Sequence, residues 1–269
     1  MAVNALYAAA SGMKALDTKL EVVANNLANI DTVGFKRSRV NFEDLLYDVR
    51  REPGALNSLQ EETPYGIQVG LGVQTSGTQL NFEQGSSVQT DRPLDMAIRG
   101  QGFFQVQTVH NGQETTAYTR AGNFIKNRNG ELVLGNSEGS RLEPPIQIPE
   151  DATRIAVSTD GQVSVVQQGD TANVVVGQIE LARFVNPEGL LQIGKNLFIE
   201  TDASGPVVTG NPQQDGLGEI MQNQLENSNV DPVRELVQLI FTQRAFELNS
   251  QSIQSADQTM QIVGNLRRF

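Results

Sequence analysis

Cysteine is absent from the chain, which removes disulfides, thiolate catalysis and cysteine-ligated zinc at once. Tryptophan is absent too, and the one histidine, His110, sits beside the turn-forming Asn111-Gly112. A Ser-His-Asp triad or a histidine metal site would have to use that residue, yet a catalytic base needs a supporting shell that a solvent-facing turn lacks. Cations are short as well, with 20 Lys+Arg against 31 Asp+Glu and a net charge of -11. Nucleic acid and anionic membrane surfaces both require clustered cations, so neither is expected as a partner. No run approaches the ~18 apolar residues of a membrane span, and no membrane insertion is expected. The first basic residue is Lys14, and no basic-then-apolar leader precedes it. A cleavable secretory signal is therefore not expected, and a route out of the cytoplasm would read some other signal.

Two regions of apolar periodicity stand out. Leu6, Ala9, Met13, Leu16, Leu20, Val23, Leu27 and Ile30 recur at alternating spacings of three and four, and Leu239, Phe246, Ile253 and Met260 recur every seven. A 3.5-residue period marks helices that pack along a seam, here with each other or with copies from other subunits. The first helix is expected from about Val3 to Asn29. Asn25, Asn26 and Asn29 lie at its end, followed by Gly34, which can adopt the left-handed conformation that stops a helix. These carboxamides are either a frayed terminus or cross-subunit register contacts. The second helix should start at Asp231-Pro232, a cap followed by proline in the first turn. If Leu239, Phe246, Ile253 and Met260 hold one core position, the other holds Leu236, Gln243, Ser250, Asp257 and Gly264. Polar groups there weaken a two-helix coil and specify partner and register, as do the neighbouring Arg244 and Asn249.

Between the helices the character changes. Phe42 to Tyr47 reads as a short helical or turn segment. Arg50 to Gly66 reads as a long extended surface loop, carrying Arg50, Arg51, Pro53, Glu61, Glu62 and Pro64. From Val73 to Leu225, short apolar runs such as Phe103–Val106, Leu132–Leu134, Ile155–Val157 and Leu197–Ile199 alternate with Asn111-Gly112, Asn129-Gly130 and Asp160-Gly161. This is the pattern of an antiparallel barrel or sandwich. The fold class is thus α+β: a terminal-helix core domain over 1–34 plus 226–269, a connecting segment over 35–80 with the long loop, and a β-rich domain over 81–225. The acidic excess from Glu180 to Asp231 predicts a negative surface there. Carboxylates are plentiful enough for a paired-acid glycosidase or a glycan-binding β-module, yet nothing selects a pair. No catalytic, cofactor or metal residue is assigned.

Four stretches carry a family resemblance: Asn26-Leu27-Ala28-Asn29 with Thr32, Gly34, Phe35 and Lys36; Arg99 to Phe104; Tyr118 to Phe124; and Leu225 to Asp231 with Gln243 to Asn249. Together they resemble the axial proteins of the bacterial flagellum, the rod and hook family. Length and the stretch Phe42 to Val73 are most similar to the distal-rod branch, a proximal rod subunit of similar size being the alternative. The resemblance implies a non-enzymatic subunit of a rigid hollow helical tube that spans the periplasm, transmits motor torque to the hook and conducts exported subunits. It implies export by the flagellar type III apparatus. The implied partners are further copies of the chain, proximal rod proteins, the hook protein, and peptidoglycan and outer-membrane ring proteins. Its assembly seam would comprise Leu6, Met13, Leu16, Leu20, Val23, Leu27, Leu239, Phe246, Ile253 and Met260. The loop residues Arg50, Arg51, Pro53, Glu61, Glu62 and Pro64 are assigned to stiffening, because a straight rod must draw its rigidity from contacts outside the helices.

Overall fold

The computed structural model describes residues 2–54, 64–169 and 172–266. The chain forms two compact units, one of residues 1–28, 38–79 and 231–269, the other of residues 29–37 and 80–230. The class is α+β, as the hydrophobic periodicities require. The division differs from the sequence expectation in that 38–79 joins the helices and 29–37 joins the β-rich unit.

In the first unit, α1 (Ala2–Ala28) and α2 (Pro232–Leu266) pack against each other. Asp231 caps α2, its Oδ1 accepting from the backbone N–H groups of Val233 (3.0 Å) and Arg234 (3.2 Å), with Pro232 at the first helical position. The helices run antiparallel. Asn26 of α1 meets Glu235 of α2, and fourteen residues earlier Gly12 meets Asn249, fourteen residues later. A Cβ on Gly12 would lie 3.3 Å from the Asn249 carboxamide nitrogen, so glycine there admits close approach.

The rest of the unit is a β-arm. The strand Ser38–Asp44 pairs with Val73–Leu80, and Tyr47–Arg51 pairs antiparallel with Ile67–Gly70. The Leu45 N–H donates to the Gly72 carbonyl, and the Leu71 N–H to Leu46, which joins the two pairings into one two-stranded ribbon. Phe42 to Tyr47 is thus extended rather than helical, and Arg50 and Arg51 belong to a hairpin rather than an open loop. Cross-strand pairing, including Arg39 Nη2 to Gln79 Oε1 at 2.5 Å and Asn41 Nδ2 to the same oxygen at 3.1 Å, overrides the helical spacing of Phe42, Leu45 and Leu46. Gly72, at φ +125°, lets the arm approach α1: a Cβ there would sit 2.1 Å from the Ser11 hydroxyl. That hydroxyl accepts from the Val73 N–H at 3.3 Å.

The second unit is antiparallel β-structure. Its main sheet centres on the hairpin of Phe103–His110 with Gln113–Thr119, joined by Asn111-Gly112 with both residues at positive φ, the geometry a primed turn needs. Adjacent residues serve opposite faces. Phe104, Phe124, Val106 and Leu142 enter the larger core, whereas Phe103, Tyr118, Phe184 and Phe198 form an edge-to-face aromatic cluster with Phe82. A three-stranded sheet (Ala152–Val157, Gln162–Gln167, Val174–Gln178) contributes Val163 and Val165 to the larger core. Chain-distant strands close the unit: Met96–Arg99 pairs with Glu219–Gln222, and Ser87–Gln89 with Gln224–Glu226.

Candidate assembly surfaces

The helix seam is the first candidate surface. Val23 and Ala15 are buried in it, and Leu6, Met13, Leu16, Leu20, Leu27, Leu239, Phe246 and Ile253 are half-buried, while Met260 is exposed in the single chain. The companion core position on α2 is not the one the heptad suggested. Glu235 and Thr242 are buried and Asn249 and Ala256 half-buried, whereas Leu236, Gln243, Asp257 and Gly264 are exposed and Ser250 is half-buried. The seam therefore lies one residue to the other side of the Leu239–Phe246–Ile253 row, because the antiparallel partner is met by the polar Glu235, Thr242 and Asn249. Arg244 is exposed, so of the C-terminal register residues only Asn249 faces α1.

A second apolar stripe runs along the opposite face of α2. Val233, Val237, Ile240, Phe241 and Leu248 are 55–71% exposed, and Arg244 is the charge among them. A helix that is apolar on two opposite faces is built to be covered on both. The arm also displays apolar groups to solvent, Leu46 at 84% and Tyr65 at 79%, with Tyr47, Val49 and Ile67 around half-exposed. A two-stranded ribbon is marginal without a packed face. Arg50 pairs with Asp48 within its own strand at 3.6 Å, the Arg51 guanidinium donates to the Tyr65 carbonyl at 3.2 Å, and Pro53 and Pro64 are exposed. Glu61 and Glu62 lie outside the described residues.

Of the asparagine cluster, Asn26 is buried and acts within the chain. Its carboxamide accepts from the Ser38 N–H (2.9 Å), donates to the Ser38 carbonyl (2.8 Å) and reaches Glu235 Oε2 at 3.4 Å, so one side chain ties α1, the arm's root and α2 together. Asn29 accepts from the Thr32 hydroxyl at 3.1 Å, and Asn25 is exposed.

A cluster that the sequence reading did not single out lies in the β-rich unit. Lys36, Glu226 and Arg120 are all buried, at 0%, 0% and 4% exposure. Lys36 Nζ donates to Glu226 Oε1 at 2.6 Å and to the Glu83 carbonyl at 2.7 Å. The same Glu226 oxygen accepts from the Gly85 N–H at 2.8 Å, and Arg120 Nη1 stands 3.5 Å from Glu226 Oε2. Arg120 Nη2 donates to the Gly100 carbonyl at 2.8 Å, and its guanidinium lies 5.3 Å from the Phe103 ring centre. Burial pushes the Lys36 amine below its ordinary range, only partly offset by Glu226, and pushes Arg120 the same way. Beside the cluster, Asn229 accepts from the Arg37 N–H (2.8 Å) and donates to the Asn81 carbonyl (2.8 Å). The available signal was that Lys36, Arg120, Glu226 and Asn229 each fall inside a family-like motif. Gly34, too, serves this unit rather than the helix stop, since a Cβ on it would meet the Arg120–Ala121 backbone at 2.7 Å.

An open cleft of about 530 Å³ on the same unit is a candidate place for glycan chemistry. Three of its charged groups, Glu131, Glu138 and Arg141, have polar or charged partners, and Glu114 is exposed at its edge. Asn127 donates to Glu131 at 2.9 Å, Arg141 bonds Glu131 and Gln107, and Lys195 donates to Glu138. The Asn127 hydrogen bond holds the Glu131 carboxyl below its usual range, and Lys195 does so for Glu138. A glycosidase acid needs the opposite shift, and no aromatic side chain lines the cleft as a sugar platform.

Comparison with known proteins agrees with the motifs. Residues 6–36 match the family described as flagella basal body rod protein, residues 97–165 the flagellar hook protein FlgE/F/G D1 domain, and residues 221–266 the flagellar basal body rod FlgEFG protein C-terminal region. The chain is 45% identical to the flagellar basal-body rod protein FlgG of Caulobacter vibrioides, over 98% of this chain and 99% of that one. It is 44% identical to the FlgG of Agrobacterium fabrum (97% and 98% covered) and 43% identical to that of Buchnera aphidicola from Acyrthosiphon pisum (98% and 100% covered).

Proposed function

Since the chain belongs to the flagellar basal-body rod FlgEFG family, we propose that it builds the distal rod by polymerising through the face of α2 that α1 leaves exposed. It is a structural rod subunit and not an enzyme. The observation that carries the assembly mode is the second apolar stripe: α1 covers one face of α2, and Val233, Val237, Ile240, Phe241 and Leu248 remain for a second copy. A contact in which different surfaces meet head to tail propagates as an open helix when its rotation does not close a ring. Leu6, Met13, Leu16, Leu20, Val23 and Leu27 with Leu239, Phe246 and Ile253 hold each subunit's own helix pair, and Asn25, Gln243, Arg244 and Met260, exposed in the single chain, are contacts for neighbours. The tube passes torque to the hook and conducts exported subunits across the periplasm. It meets proximal rod proteins below, the hook protein above, and peptidoglycan and outer-membrane ring proteins around it, and each subunit arrives through the type III export apparatus. Exposed Glu200, Asp202 and Asp215 favour a hydrated, weakly adhesive surface toward the rings.

The arm carries stiffness in this reading. Its apolar residues Leu46, Tyr47, Val49, Tyr65 and Ile67 have solvent on them in the single chain, and Pro53 and Pro64 lower the entropy lost when it docks. Arg50, Arg51, Glu61 and Glu62 supply charges for bridging. Two variants examined by electron microscopy test the two roles separately. Ile240→Asp with Phe241→Asp should leave a folded monomer that does not polymerise; normal rods from it would refute the assembly mode. Deletion of the residues between Pro53 and Pro64 should give curved or flexible rods; straight rods of normal stiffness would refute the arm's role.

A further inference from the structure

We propose that Glu226 is the closing residue of the β-rich unit, a carboxylate without which the unit cannot compact while the chain is still incomplete. The cluster brings together positions 36, 120 and 226, and two of the three are cations. Lys36 and Arg120 are destined for burial, and the carboxylate that faces both is Glu226. Glu83 also acts on Lys36 through its charge, but its side chain is exposed and bonded to Asn81, and what it places against the amine is its backbone carbonyl. The arrangement has no spare capacity. Arg120 Nε and Nη1 and Glu226 Oε2 make no hydrogen bond among the described residues, so the 3.5 Å approach of the Glu226 carboxylate is what offsets the guanidinium charge there.

The backbone repeats the same dependence. Gly34 N–H donates to the Glu226 carbonyl at 2.7 Å, one of the bonds that hold residues 29–37 in the unit beside those from Asn196 to the Val33 carbonyl and from the Asn81 N–H to the Arg37 carbonyl. The core strand Met96–Arg99, whose Met96 and Ile98 are fully buried, finds its partner in Glu219–Gln222. A chain made from its N-terminus therefore carries two cations meant for the interior, and a core strand without its partner, until residues 219–226 arrive. Burying either cation earlier means burying it unpaired, which is strongly unfavourable. The device keeps the first two hundred or so residues from settling prematurely, and it stands whether or not the polymer reading is correct.

Pulsed hydrogen exchange during refolding of the full-length chain tests it. In the wild type, the amides of Ile98, Val106 and Ala117 should gain protection in the same kinetic phase as Leu225 and Glu226. In the combined variant Lys36→Met, Arg120→Met, Glu226→Leu, which removes all three charges, protection of the central strands should shift to an earlier phase. Protection of Ile98, Val106 and Ala117 ahead of Leu225–Glu226 in the wild type would overturn the proposal. If the combined variant does not fold, the wild-type order decides alone.

Discussion

Glu226 shows how much can hang on one side chain. Replacing it by glutamine removes the anion and leaves Lys36 and Arg120 buried together, which should cost about 3–5 kcal/mol of stability, measured by denaturant unfolding. Lys36 adds a pH signature. Its folded pKa is lowered from 10.5, so between the folded value and 10.5 the unfolded chain binds the extra proton. Stability contributed by this group should rise as pH climbs through that window and be lost as pH falls through the folded value. Tyr118 acts in the opposite sense, because burial raises its hydroxyl from 10.0 to about 12 and stability falls as pH rises between those values. The comparison that isolates Lys36 is therefore wild type against Lys36→Met across pH 8 to 11, where the variant should lack the rise. None of these three residues was singled out as a site from the sequence. Each lies in a family-like motif, but nothing local links a lysine to an arginine 84 positions later, and only the fold brings them to one carboxylate.

At the level of elements, local signals were sufficient where the chemistry is local. Asp231-Pro232 set the start of α2, and Asn111-Gly112 set the central hairpin. Asp231→Ala should lower stability by about 1 kcal/mol, with fraying confined to the first turn of α2 by hydrogen exchange. Signals failed where a distant partner decides. The row Leu239, Phe246, Ile253 is half-buried, but the row beside it that is buried holds Glu235 and Thr242, whereas Leu236 and Gln243, which the heptad spacing predicts, are exposed. Apolar periodicity alone cannot mark a polar seam. The arm was missed for the same reason: Phe42 to Arg51 has no strict alternation, and its strand character comes from residues 67–80. Gly72 is where that pairing meets α1. Gly72→Ala adds a Cβ at φ +125° and 2.1 Å from Ser11 Oγ, which should cost about 1–3 kcal/mol and expose the Val73 amide to exchange.

For the whole molecule, the exposed apolar faces are what calls for a partner. Most of the strongly exposed large apolar side chains, among them Leu46, Tyr65, Val233 and Phe241, lie on the helix and arm unit. The proposed subunit interface is the stripe opposite the α1 seam. The absence of cysteine allows it to be tested one position at a time. Phe241→Cys and Val185→Cys, the second on the β-rich unit and 83% exposed, should both react fully with a maleimide in the monomer. The measurement is the labelling of each after polymerisation. Cys at position 241 should become protected while Cys at 185 stays reactive; equal labelling of position 241 in monomer and polymer would contradict the proposed interface.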